Sequence, residues 1–259
     1  MSGPEGLASG WPAILALWSA PRSRSTAFAR MMAERGDCTV LHEPFSHVLD
    51  FGSERIGDEL VTTERQLIPA LRRAAADGPL FFKDTTDFRY PVLLADTAFL
   101  RAAVHTFIIR HPAEAIASHY RLNPRLGRDE IGFAWLAEIY DAVAAATGRA
   151  PVVIDSDDLV ERPADTVAAY CAAVGIPFLP GALAWPPGMT AAWRRTERWH
   201  ESTSRTSGFV RGAPADRVAA DPVANPMVAN TVLADPVLAG YLDFHLPFYE
   251  KLRAVALRP

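Results

Sequence analysis

The sequence predicts an α/β fold three layers deep, α/β/α, with helices on both faces of a mostly parallel central sheet. Two observations carry this. Short apolar runs bounded by turn residues recur between residues 13 and 154, as strands buried on both faces require. Segments of helical composition alternate with those runs, which implies βαβ units joined by right-handed crossovers.

Ala13–Trp18 is the first such run and reads as a buried strand. The polar loop Ser19–Arg24 leads from it into Ser25–Glu34, which has helical composition. Cys38–Leu41 and Leu80–Lys83 read as the second and third strands. Val104–Arg110 is the fourth, and it runs directly into His111-Pro112, where proline suits the first turn of a helix continuing to about Leu122. Asp129–Thr147, rich in alanine, reads as a long helix. Pro151–Ile154 is the fifth strand and ends in the acidic cluster Asp155, Asp157 and Asp158. Pro163–Val174 is a further helix, closed by Gly175. Residues 185–226 are rich in proline, arginine and tryptophan and have no sustained period, the pattern of a functional lid or a long loop region with short helices. Asp235–Leu257 reads as one or two closing helices. A single domain over 1–259 is expected, with a core at 11–180 and a late loop-and-helix region at 181–259.

Composition bounds the function. With 259 residues, 49% hydrophobic and 22% charged, the chain has the profile of a globular protein and excludes a disordered or fibrous one. A net charge of -4 argues against general binding to nucleic acid or anionic membrane. The longest apolar run, Trp11–Trp18, falls far short of the roughly 20 residues that span a bilayer. Met1–Gly10 carries only Glu5 as a charge and so lacks the basic start of a secretion signal. Two cysteines, Cys38 and Cys171, cannot build a disulfide framework or a four-ligand zinc site, and a cytoplasmic location is expected. Only two of the 26 basic residues are lysines, Lys83 and Lys251, so 24 are arginines. Codon bias accounts for such a ratio, but arginine is also the better bidentate ligand for phosphate.

Ligands of parallel sheets bind at the carboxyl ends of the strands, which directs attention to the segments that follow them. Ser19-Ala-Pro-Arg-Ser-Arg-Ser-Thr26 joins a buried strand to a helix N-terminus, where backbone N–H groups and the helix dipole favour an anion. Arg22 and Arg24 add charge, and Ser23, Ser25 and Thr26 add hydroxyls. The loop has no glycine and no lysine, which disfavours a nucleoside-triphosphate P-loop and favours an anion cradle of related architecture. A polar cap with two solvated arginines is the ordinary alternative. Arg110 ends the fourth strand, with Ser118 on the following helix close enough to share an oxyanion with it; the alternative pairs Arg110 with Glu114. Two anion-directed units on one sheet suggest a ligand with two separated anionic groups.

These segments resemble the sulfotransferases that use PAPS (3′-phosphoadenosine 5′-phosphosulfate). Pro21–Thr26 is similar to that family's 5′-phosphosulfate loop, and Arg110 with Ser118 is similar to its 3′-phosphate site. Asp155–Leu159 with Gly175-Ile-Pro177 resembles its acidic turn and following helix, and Phe209–Asp216 its late loop over the 3′-phosphate, with Arg211 and Gly212 as candidate contacts. The resemblance covers most of residues 13–217 and implies a P-loop-like sulfotransferase fold, PAPS as co-substrate, PAP (its desulfated product) as leaving group, and no metal. The chain departs from the pattern in four places. Arg22 stands for the usual loop lysine, Arg24 for the loop glycine, Val210 beside Arg211 for one of two consecutive basic residues common in the late loop, and Thr85 for a catalytic histidine two residues after Lys83.

With that histidine absent, the base is sought at the end of the second strand, in Leu-His-Glu-Pro. Glu43 is the first candidate, with His42 and Asp84 as rivals. Adjacent strand residues point to opposite faces, so only one of His42 and Glu43 is expected in the cleft; a structural pairing of Glu43 with an arginine, such as Arg22, is the alternative. Arg22 and Lys83 are candidates for stabilising the leaving phosphate. No histidine spacing in the sequence indicates a metal. Trp185, Trp193 and Trp199 fit either adenine stacking or core anchoring. The expected acceptor is a small hydroxylated metabolite. A P-loop-like kinase using ATP, with Val152–Asp155 as its Mg²⁺-binding strand, and a non-catalytic nucleotide-binding protein are the competing readings.

Overall fold

The computed structural model describes residues 10–209 and 232–259. Its central sheet has five strands, β1 (Ile14–Ser19), β2 (Thr39–His42), β5 (Leu80–Thr85), β6 (Val104–Ile109) and β7 (Val152–Asp155). They lie in the order β2-β5-β1-β6-β7, and every pairing is parallel. Period-two alternation splits β1 between two apolar layers. Ile14, Ala16 and Trp18 join Leu80, Phe82, Phe107 and Ile109 on one face, while Leu15 and Leu17 join Phe81, Ile108 and Ile154 on the other.

Helices cover both faces, which gives the three layers. The first face is covered by α2 (Pro44–Phe51), α3 (Glu64–Ala74), α5 (Thr97–Ala102), α6 (Pro112–Tyr120), α7 (Phe133–Thr147) and the last described helix, α11 (Pro236–Arg253). The second is covered by α1 (Ser25–Arg35) and α9 (Pro163–Val174), through Phe28, Met31, Met32, Val167 and Tyr170. Trp18 is fully buried, and its indole N–H donates to His105 Nδ1 at 3.0 Å, so the indole's one polar group is satisfied inside the core.

The elements differ from expectation where local signals are short or interrupted. Asp129–Ile131 is a 3₁₀ turn, and left-handed Gly132 separates it from α7, so the long helix begins at Phe133. The space there admits only glycine, since a Cβ would lie 2.4 Å from the Thr86 carbonyl oxygen. The helix after Pro112 stops at Tyr120, and the second strand is shifted by one residue to Thr39–His42. A two-stranded hairpin, β3 (Glu54–Ile56) and β4 (Glu59–Val61), and α3 fill a stretch that the sequence left unassigned. Three-residue strands are too short to show a period.

Register sets the site. Lys83 pairs with both His42 and Leu17, and Ser19 with both Thr85 and Ile108. The carboxyl ends of β2, β5, β1 and β6 are therefore level, and the segments that follow them open on one edge.

Candidate active site

The loop between β1 and α1 is held in an uncommon conformation. Arg22 and Arg24 have φ of 67° and 63°, in the left-handed region that costs a non-glycine residue about 1–2 kcal/mol. Arg24 stands where the resembling family has its loop glycine, and its side chain compensates. Its guanidinium donates to Ser156 Oγ at 3.0 Å and Asp157 Oδ1 at 2.5 Å, and reaches Glu114 Oε2 at 3.5 Å. Arg22 Nε donates to Ser118 Oγ at 3.1 Å and Arg22 Nη1 to the Trp199 carbonyl at 2.6 Å. Arg110 Nη1 donates to the Arg22 carbonyl at 3.0 Å, and Arg110 Nε to Glu114 Oε2 at 2.7 Å. The two anion-directed units thus form one connected arginine cluster. Ser118 binds Arg22, and Arg110 does take the alternative partner, Glu114.

The cluster surrounds an open helix end. No side chain caps α1, and Ser23 Oγ is buried with no hydrogen-bond partner among the described residues. Ser25 Oγ accepts from Ser19 Oγ at 2.8 Å, and Thr26 Oγ1 lies 3.4 Å from His200 Nδ1. An orphaned hydroxyl, uncapped first-turn N–H groups and neighbouring guanidiniums fit an oxyanion such as a phosphosulfate.

At the end of β2, Glu43 is left-handed, φ 52°, directly after the strand. His42 Nε2 lies 3.6 Å from Glu43 Oε2, but of the two only Glu43 is among the residues that line the cleft. Glu43 lines the cleft and its carboxylate is ion-paired with the buried Lys83 ammonium, not with Arg22. Burial by itself raises the Glu43 carboxyl; the Lys83 ammonium, by its charge and its hydrogen bond, outweighs it and holds the group well below the usual carboxylate range. Burial pushes the His42 imidazole well below its ordinary value and His200 down to about 4, so both rings are neutral.

Asp84 faces the other way. Its carboxylate accepts from Phe45 N at 2.6 Å, Ser46 N at 3.2 Å and Ser46 Oγ at 2.6 Å, capping α2. Burial pushes its carboxyl up to about 6. Thr85, in the position of the missing histidine, donates from Oγ1 to Asp87 Oδ1 at 2.9 Å.

One cleft of about 770 Å³ joins these parts. Arg22, Ser23, Arg24, Ser25, Thr26, Arg110 and Ser118 line one end; Glu43, Ser46, Asp50, Thr85 and Asp87 line the other, with Lys83 between on the intervening strand. The wall over them is α10 (Glu197–Ser204) with Thr196 before it, which brings Trp199 and His200 into the site. His200 hydrogen-bonds His42, Nε2 to Nε2 at 3.1 Å, and Thr196 Oγ1 at 2.9 Å. His200, Asp50 and Asp87 carry no motif; only tertiary structure brings His200 to His42. The tryptophans divide: Trp185 and Trp193 are buried anchors, whereas Trp199 packs on His119 at 5.1 Å in the cleft wall. Arg211 and Gly212 lie outside the described residues. No described helix is long and apolar enough to cross a membrane.

A profile described as a sulfotransferase domain matches residues 13–230. The chain belongs to the sulfotransferase domain family. Two curated relatives from Arabidopsis thaliana, branched-chain-amino-acid aminotransferase-like proteins 2 and 1, are each 27% identical, over 218 and 212 residues. Each match takes in 76% of this chain but only 36% and 37% of the relative's length. Among solved structures, the sulfotransferase domain of the curacin biosynthetic pathway overlays with a TM-score of 0.46 at 15% identity, covering 97% of this chain and 100% of its own. A mouse sulfotransferase complexed with PAP overlays at 0.44 with 11% identity, covering 92% and 84%. Overlaps this loose transfer no residue and no substrate. The membership accords with an arginine-rich anion cluster and a carboxylate on one cleft.

Proposed function

We propose that this sulfotransferase domain moves the sulfuryl group of PAPS to a hydroxyl of a small-molecule acceptor and releases PAP. The observation that carries the reading is the single cleft onto which the Pro21–Ala27 loop, Lys83 and Glu43 all open. In-line transfer needs the leaving phosphate stabilised, the acceptor oxygen positioned and its proton removed. The uncapped start of α1, with Ser23 and the Arg22–Arg110 cluster, supplies donors for the leaving oxygens. The second anionic group of the nucleotide falls to Arg110, whose Nη2 has no hydrogen-bond partner among the described residues.

Lys83 and Glu43 act as a coupled pair. While Lys83 holds it, Glu43 is ionised but a weak base. An incoming phosphosulfate competes for the ammonium, and the carboxylate regains basicity as that partner turns away. Glu43 then takes the acceptor's proton as the acceptor oxygen bonds to sulfur. The sulfur–oxygen bond to the 5′-phosphate breaks, and its electron pair leaves with PAP.

The kinase reading loses ground at Asp155. That carboxylate caps α8 (Ser156–Glu161), accepting from Asp157 N at 2.9 Å, and is absent from the cleft lining. The binding-only reading is separated by turnover. Glu43→Gln is expected to keep the fold and PAP affinity by calorimetry while lowering kcat by about 10²–10⁴. Loss of PAP binding in that variant makes Glu43 a structural partner of the site. Mg²⁺-dependent ATP binding in place of PAP binding overturns the proposal.

A further inference from the structure

We propose that His42, Glu43 and His200 form a site for a divalent ion of the zinc class at the acceptor side of the cleft, and that a bound ion takes the Glu43 carboxylate out of service. The three residues each offer a ligand atom, and these atoms all lie within 4.8 Å of one another. His42 Nε2 is 3.1 Å from His200 Nε2 and 3.6 Å from Glu43 Oε2. Tetrahedral bonds of about 2.0–2.1 Å put ligand atoms roughly 3.3 Å apart, so the two separations from His42 need shifts of only a few tenths of an ångström, and the third, His200 to Glu43, closes from within 4.8 Å. Two imidazoles and a carboxylate are the donor set zinc-class ions prefer, and the cleft supplies an open fourth position.

The surroundings tune the affinity in both directions. His200 Nδ1 lies 3.4 Å from Thr26 Oγ1, and with Nε2 on the ion its N–H donates there, fixing ring and tautomer. Against this, His42 Nδ1 is buried without a partner among the described residues, and a missing outer-shell acceptor weakens such sites by about 10–100-fold. Lys83 shares the carboxylate through Oε1, so the ion approaches through Oε2 against a nearby positive charge. The site is therefore reversible rather than structural. Its inhibitory consequence rests on the sulfotransferase reading, because a metal-bound carboxylate cannot accept the acceptor's proton; binding itself does not rest on that reading.

The test uses the untagged full chain, stripped with chelator, titrated with Co²⁺ in the visible range and with Zn²⁺ by calorimetry. One equivalent of Co²⁺ should give the intense bands of a four- or five-coordinate ion, and Zn²⁺ should abolish them. His42→Ala and His200→Ala should each weaken Zn²⁺ by about tenfold or more, and His119→Ala, elsewhere on the cleft wall, should not. Circular dichroism identifies any variant that fails to fold, in which case the wild-type Co²⁺ spectrum decides. Octahedral-type weak bands, no stoichiometric binding, or equal affinity in folded His42 and His200 variants overturns the site. Zn²⁺ that binds to a chain lacking PAPS turnover leaves the site standing and sinks the functional reading. Turnover that persists undiminished with the site filled overturns the inhibitory role.

Discussion

The helices α1 and α2 begin at the same edge of the sheet, each after a strand and each behind a left-handed residue that is not glycine, Arg24 or Glu43. Their first turns end differently. At α2 the protein supplies its own anion: Asp84 takes two backbone N–H groups and the Ser46 hydroxyl. At α1 no side chain among the described residues does so, and the nearby hydroxyl of Ser23 is buried with no partner among them. Helix ends leave orphaned donors that some acceptor must satisfy. Where the chain fills them the end is structural; where it leaves them open beside arginines, the proposed reading has a ligand's oxyanion complete the site.

Breaking the filled end should have the largest effect. Asp84→Asn turns an amide N–H₂ toward groups that need an acceptor, and should cost about 2–4 kcal/mol in urea unfolding. A cost below about 1 kcal/mol would mean that water replaces the cap. At the open end the effect is on the ligand instead. Arg110→Ala should weaken PAP by roughly ten- to hundredfold, about 1.5–3 kcal/mol, and weaken adenosine 5′-phosphate far less. Calorimetry with both nucleotides checks this, and equal weakening would assign Arg110 elsewhere.

Arg24→Gly sharpens the comparison on the backbone side. It relieves left-handed strain but removes the contacts to Asp157 and Glu114, so stability should stay within about 1 kcal/mol of wild type. An effect read in its pH dependence is expected at Asp87, just beyond Asp84. Burial and then Glu43 push its carboxyl up to about 7. The folded state therefore holds that proton more tightly than the unfolded state, and stability contributed by Asp87 falls as pH rises through about 4 to 7. Asp87→Asn should raise Tm at pH 8, with the gain shrinking toward pH 4; a gain independent of pH would point to packing.

How much of this was legible depends on the range of the cause. The five sheet strands were readable as short apolar-rich runs between turn residues, clearest in β1, which is buried along its whole length, whereas the three-residue strands of the hairpin leave no such trace. Arg22, Arg24 and Arg110 drew attention by lying just past strand ends. The pairing of Lys83 with Glu43 and the descent of His200 onto His42 are tertiary events with no local signature. Alternation separates His42 from Glu43 at the cleft, which Glu43 alone of the two lines, but it assumes an extended backbone and does not foresee that left-handed Glu43 brings its carboxylate within 3.6 Å of His42 Nε2.

The position of β1 in the sheet also constrains how the chain is made. Ile14 pairs with Leu80 and Leu15 with Val104, and β1 has no nearer partner. During synthesis the most apolar strand therefore leaves the ribosome early and waits, unpaired, until most of the sheet has been translated. Contacts this distant in sequence close slowly. Over that interval Ile14–Trp18 is an exposed sticky segment, and the yield of active protein should respond to chaperone supply and to translation speed upstream of Leu80 more than to the final stability of the fold.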